Sequence, residues 1–188
     1  MDGSVEEQLM VFLFIVAKNI SNRDVQHQFG HSGSTISVYF HSTLQAMYSF
    51  ARILLVQPSG SIIPPEIESD PKFSPFFNGC VGAIDGTHIP ATIKGMSPIP
   101  FINRKGFKSQ ICLTTCSFDL QFQFMLPGWE GSAHDGHIIS KALEKNKLQI
   151  PPGRYLLGDA GFGLSMEVLT PYRGVRYHLK EWDQGNKK

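Results

Sequence analysis

The stretch "CVGAIDGTHIPA", Cys80 to Ala91, decides how the rest of the chain is read. A run of strand-forming apolar residues climbs to one carboxylate, Asp85, with Gly82 before it and Gly86 directly after. A buried charge costs several kcal/mol unless it is paired or bound to a metal. The remaining sequence must therefore supply a partner for Asp85.

A second stretch repeats the pattern. "GRYLLGDAGFG", residues 153–163, is another short apolar strand that runs into a carboxylate, Asp159, with glycine two residues on. If the two strands lie parallel and adjacent, the carboxylates come side by side, and like charges that close do not both stay ionised without a cation. Oxygen ligands of this kind suit Mg²⁺ or Mn²⁺. Such ions, held in pairs, activate water and stabilise the leaving oxygen in phosphodiester cleavage. The plainer reading is that each Asp caps a turn beside its glycine, the commonest task of that pair.

The residues between the two stretches predict how they meet. "SQICLTTCSFD", residues 109–119, and "QFQFMLPGW", residues 121–129, read as strands joined by a tight hairpin near Asp119 and Leu120. "HDGHIISKALEKNKLQ" follows, with Ile138, Ile139, Ala142, Leu143 and Leu148 at helical spacing and Ser132 or Asp135 near its start. Three antiparallel strands, a helix and a fourth strand are expected over 79–160. A helical crossover favours parallel pairing of the last strand with the first. One or two short extended pieces are expected in "MEVLTPYRGVRYHLKEW".

Further polar residues gather around this frame. "GWEGSAHDGH" carries His134, Asp135 and His137. Asp135 is either a helix-start residue favoured by the dipole or a third carboxylate at the metal site. A zinc hydrolase built on His134 and His137 is a rival, but the spacing is poor and no further soft ligand is evident. "NRKGFK" presents Arg104, Lys105 and Lys108, with Phe101 and Phe107 interleaved. Such a loop is either a solvated surface turn or, beside a metal site, a nucleic-acid-binding loop that holds phosphates.

Composition narrows the class. Over 188 residues, 41% are hydrophobic, which supports a packed core and argues against wholesale disorder. The formal net charge of +1 is uneven: residues 1–70 carry three Lys/Arg against seven Asp/Glu, and residues 71–188 carry fourteen against nine. The second part is thus the better candidate for meeting a polyanion. Cys80, Cys112 and Cys116 are odd in number and form no CxxC pair, so a reducing compartment is expected. The acidic start "MDGSVEEQ" lacks the basic region of a secretory signal, and the apolar run at residues 9–17 is too short to span a bilayer. There is no Lys/Arg-rich nuclear localisation run.

The first part reads as helical, with a boundary near residue 57. Leu9, Phe12, Leu13 and Val16 predict a helix over 5–18. Ser21 or Asn22 opens a second helix that stops at Gly30. A longer helix follows, with Ile36, Phe40, Leu44, Met47 and Phe50 or Ala51 on one side. A short helix, a tight turn and a longer helix make a helix-turn-helix pattern. Its DNA-reading role is weighed against a plain three-helix packing unit, because Lys18, Arg23 and Arg52 are its only Lys/Arg residues. Residues 58–78 are rich in Pro and Ser and read as a linker or irregular wrap. The remainder, 79–188, is the expected catalytic core.

Five motifs, "GAIDGTHIPA", "NRKGFKSQ", "LPGWEGSAHDGHII", "PPGRYLLGDAGFG" and "LTPYRGVRYHLKEW", resemble DDE-type transposases of the PIF/Harbinger superfamily and the nucleases derived from them. The resemblance runs from Val5 to Trp182. It implies an α/β, RNase H-like mixed sheet with flanking helices, preceded by the helical segment. Asp85 then matches the first catalytic, metal-holding Asp and Asp159 the second. The resemblance also implies a divalent cation, DNA as substrate, a Myb-like DNA-binding partner protein, no membrane, and a nuclear location with the cytoplasm as a second one. The family's third carboxylate is a Glu on a helix after "RYHLKEW", whereas this sequence ends at "DQGNKK"; Glu167 and Glu181 stand outside that motif. Weak or absent cleavage is therefore expected of this chain. The rival from another class is a non-enzymatic, transposase-derived protein that binds DNA or a protein through the same surface.

Overall fold

A computed structural model describes residues 3–95, 97–144, 147–172 and 174. "RYHLKEW", Glu181 and the family's expected third-carboxylate region lie outside the described residues. The chain divides into two compact units, Met1–Leu54 and Leu55–Lys188.

The first unit is three helices: α1 (Val5–Lys18), α2 (Asn22–Phe29) and α3 (Gly33–Leu54). Ser4 caps α1 by accepting from the Glu7 amide at 3.2 Å, and Gly30 ends α2 as expected. The buried stripes differ from the expected ones. α1 turns Val11 fully inward with Phe14 and Ile15 packed beside it, while Leu13 and Val16 are exposed. α3 buries Ile36, Tyr39 and Thr43, so only Ile36 of the expected Ile36, Phe40 and Leu44 set is fully buried; Leu44 is 45% exposed. The cause is visible in the sequence. Both helices carry apolar residues on more than one side, so helical spacing offers two stripes. Tyr39 wins because its hydroxyl takes the Gly3 amide at 2.7 Å while its ring is buried. Among the described residues no helix is long and apolar enough to cross a membrane.

The second unit is a five-stranded mixed sheet in the order β3-β2-β1-β4-β5. Its strands are β1 (Cys80–Pro90), β2 (Ser109–Cys116), β3 (Phe122–Glu130), β4 (Tyr155–Leu157) and β5 (Val168–Leu169). β1, β2 and β3 are antiparallel neighbours, whereas β4 runs parallel to β1 and β5 parallel to β4. This is the order and pairing expected of an RNase H-like core. The β2–β3 hairpin closes at residues 117–121, where the Ser117 amide donates to the Gln121 carbonyl at 2.9 Å and Leu120 takes a positive φ of 65°.

Helix α5 (Asp135–Glu144) supplies the crossover, and Ile138, Ile139 and Ala142 face the sheet as their spacing predicts. They pack with Ile84, Leu113, Leu156 and Val168 in one core. At about 25 cal/mol per Å² of apolar surface, burying one such side chain contributes roughly 1.5–3 kcal/mol. α5 is shorter than expected, and Leu148 joins the core from beyond its end. Residues 58–78 are also more ordered than a linker. They hold α4 (Pro65–Glu68), whose Ile67 is buried, and a Phe73–Phe77 edge contact at 6.1 Å. Pro65 sits at the first turn of α4, where a proline opens a helix rather than breaking it.

Candidate functional site

The β1–β4 pair places the two predicted aspartates level with one another. Ala83 lies opposite Leu157 in the parallel ladder, and Asp85 and Asp159 each follow two residues later. β4 ends at Leu157, so Asp159 stands where its strand opens into a turn. Both side chains settle locally in the same way. Asp85 Oδ1 accepts from the Gly86 amide at 2.7 Å, and Asp159 Oδ1 accepts from the Gly161 amide at 2.8 Å. The turn-capping reading of Asp beside Gly holds for Asp159, whereas Asp85 lies inside β1, paired with Thr114, and caps no turn.

Asp135 arrives from a third element, the first turn of α5. Its position is marked by two glycines. A Cβ on Gly86 would stand 2.6 Å from Asp135 Oδ1. A Cβ on Gly161 would stand 3.1 Å from Asp135 Oδ2 and 3.0 Å from Asp159 Oδ1. These glycines leave the room in which the carboxylates of α5 and of the β4 turn approach one another. Glu167, the other candidate for a third carboxylate, lies instead just before β5, where its carbonyl accepts from the Leu156 amide at 2.9 Å.

The electrostatics follow from this crowding. Burial pushes the Asp135 carboxyl above the usual carboxylate range, and the charges of Asp159 and Asp85 push it the same way; Arg104 and His88 act against them. Among the described residues no Lys, Arg or His forms an ion pair with any of the three carboxylates. The question posed by Asp85 is answered by exposure: its side chain, like that of Asp159, is exposed, so water solvates the charge, and only Asp135 is partly withdrawn from it. An all-oxygen donor set at a like-charged cluster is the chemistry of Mg²⁺ or Mn²⁺. Among the described residues no three His, Cys, Asp or Glu side chains close round a single point as a finished metal cage. What the geometry does show is Asp135 crowded against Asp159 across Gly161, with the Asp85 charge reaching Asp135.

The zinc rival finds no support in the geometry. His134 Nδ1 lies 3.4 Å from Arg104 Nη2, and the His137 ring stands edge-on to Trp129 at 5.6 Å. The three cations of "NRKGFK" lie on one exposed hairpin, but only Arg104 acts on Asp135.

Sequence reasoning missed His88, Asn103 and Ser109. His88 Nδ1 lies 3.0 Å from Ser109 Oγ, which also accepts from Asn103 Nδ2 at 3.0 Å. The period of two along β1 sets His88 on the same face as Gly86, and that alternation was the available signal.

The comparisons agree with this architecture. The family described as "DDE superfamily endonuclease" matches residues 84–188, and a "Domain of unknown function (DUF8040)" matches residues 2–49. The chain is 28% identical to "Putative nuclease HARBI1" of Rattus norvegicus over 95 residues, which is 50% of this chain and 27% of that protein. It is 25% identical to the Homo sapiens protein of the same name over the same shares. It is also 28% identical to "Protein ALP1-like" of Arabidopsis thaliana, over 91% of this chain and 46% of that protein. The chain therefore spans less than half the length of these relatives. No solved structure matches it.

Proposed function

Since the chain belongs to the DDE superfamily endonuclease family, we propose that it is a transposase-derived, divalent-metal-dependent nuclease core acting on DNA. The observation that carries this reading is that Asp85 and Asp159 stand level on the adjacent parallel strands β1 and β4, with Asp135 of α5 close to Asp159 and in electrostatic reach of Asp85. Asp85 and Asp159 are the groups that would hold Mg²⁺ or Mn²⁺, with Asp135 as the third. When bound, the cations supply a water of lowered pKa and a Lewis acid for the leaving oxygen.

This chain's own residues do the rest. β1 holds Asp85 in a rigid strand, and the β1–β4 register brings the turn that carries Asp159 level with it. Gly86 and Gly161 leave the space that the Asp135 and Asp159 carboxylates occupy, and a side chain at either position would push them apart. Arg104, Lys105 and Lys108 stand exposed to take flanking phosphates. The nuclear location and a Myb-like DNA-binding partner belong to the same proposal and rest on the family resemblance alone.

The test is nicking of supercoiled plasmid by the purified chain in Mg²⁺ or Mn²⁺, beside Asp85→Asn and Asp159→Asn. Metal-dependent nicking that either variant lowers by about a hundredfold or more supports the reading. Duplex binding with neither nicking nor Mn²⁺ binding supports the non-enzymatic rival, as a DNA-binding protein.

A further inference from the structure

The hairpin that carries Arg104, Lys105 and Lys108 is built more firmly than an exposed loop of charged residues needs to be. An Ile102–Lys108 bridge closes it. The side chain of Asn103, at its start, is buried and uses both ends. Its Oδ1 accepts from the amides of Lys105 at 2.9 Å and Phe107 at 3.3 Å, and its Nδ2 donates to Ser109 Oγ at 3.0 Å. Ser109 is fully buried and makes the contact with His88 already described. The backbone fastens the base of the hairpin on two more sides. The Ala91 amide donates to the Lys108 carbonyl at 3.1 Å, and the Ser132 amide to the Pro100 carbonyl at 3.0 Å. A buried polar network satisfied in this way rigidifies the segment that it holds.

The three cations are not equivalent on this support. Arg104 alone turns toward the start of α5, where its Nη2 lies 3.4 Å from His134 Nδ1 and its charge reaches Asp135. It is nevertheless not paired with that carboxylate. A guanidinium held beside an acidic cluster by one long contact to His134, with no carboxylate partner, keeps the rest of its fork of donors for an oxyanion.

Building on the carboxylate-cluster reading, we propose that Asn103 is a positioning residue that holds Arg104 ready at the acidic cluster. Arg104 takes a phosphate oxygen of the strand being cut, while Lys105 and Lys108 grip the flanking backbone. Preorganisation matters here because misplacement by about 1 Å costs on the order of a hundredfold in rate.

The experiment measures Mn²⁺ binding by calorimetry, the salt dependence of binding to a short duplex, and limited trypsin digestion. It uses the full 188-residue chain and its Arg104→Ala, Lys105→Ala and Asn103→Ala variants. Arg104→Ala removes a cation that opposes metal entry, so Mn²⁺ binds about threefold tighter or more. Lys105→Ala does not tighten Mn²⁺ and lowers the salt slope by about one. Asn103→Ala loosens the hairpin, so trypsin cuts after Arg104 or Lys105 about tenfold faster than in the parent. Unchanged Mn²⁺ affinity in Arg104→Ala, or unchanged trypsin cutting in Asn103→Ala, overturns the inference and leaves the carboxylate reading standing. No Mn²⁺ binding by the parent chain overturns the carboxylate reading itself, and the inference with it.

Discussion

The two units of this molecule bury apolar surface by different rules. In the sheet unit, short runs of buried residues on β1 and β2 and the inward face of α5 build one core around Ile84, Leu113, Ile138 and Leu156. In the helical unit, α1 and α3 carry apolar residues on several sides. Only Val11, Val25, Ile36 and Tyr39 make the buried cluster, and Met47, Phe50 and Ile53 stand exposed. The difference teaches where a buried face can be read: a stripe is legible when charges bound it and ambiguous when apolar residues surround it. It also shows why the proposed chemistry is assigned to the sheet unit, where the β1–β4 register brings Asp85 and the turn carrying Asp159 level.

Truncating the two cores tests this contrast with the largest effects. Leu113→Ala in the sheet and Ile36→Ala in the helices, both at 0% exposure, each lower stability by about 2–5 kcal/mol in urea unfolding. Leu44→Ala costs under about 0.5 kcal/mol, as befits a surface position. A loss at Leu44 equal to that at Ile36 would restore the stripe expected from spacing.

Gly86→Ala comes next. Its methyl meets Asp135 Oδ1, the mobile end of a side chain, so the fold survives and the carboxylate turns aside. Mn²⁺ affinity falls about tenfold, consistent with a small displacement of one ligand. Unchanged affinity would place Asp135 outside the metal-holding set.

A smaller effect concerns pH. The folded carboxyl pKa of Asp135 lies above its unfolded value because of burial, with the charges of Asp159 and Asp85 adding to it. Ionising it therefore costs folding free energy. That cost is absent below the ordinary carboxylate range and sets in as pH rises through the folded value. Without divalent metal, Asp135→Asn melts above the parent at pH 7, and the gap closes toward about pH 4. Melting curves that coincide across this range would deny the crowding. The smallest effect is expected in the helical unit: Arg23→Ala and Arg52→Ala leave the salt slope of duplex binding unchanged if that unit is a packing element. A drop of about one for either would assign it DNA contact.

Much of the sheet unit was legible from residues 80–160. The hairpin at Asp119 and Leu120, the inward face of α5 and the parallel return beside β1 all follow from period and connection length. Asp85 and Asp159 were legible as charges that end apolar runs. The proximity of Asp135 was not, since a carboxylate in the first turn of a helix has an ordinary explanation in the dipole. Only the crossover geometry, which brings α5 over Gly86, distinguishes the two roles. The Asn103–Ser109–His88 chain was invisible for a related reason. Its members are 21 residues apart at most, yet they meet only through β1–β2 pairing, which sets His88 against Ile111 and Pro90 against Ser109.

The central claim is that three acids from three elements form one cation-holding cluster. It is tested most directly by titrating Mn²⁺ into the purified 188-residue chain and into Asp85→Asn, with circular dichroism confirming equal folding. The account predicts binding by the parent that Asp85→Asn weakens by at least about tenfold, because one charged ligand has become neutral. Equal affinity in the two proteins would contradict it and leave Asp85 an ordinary exposed residue of β1.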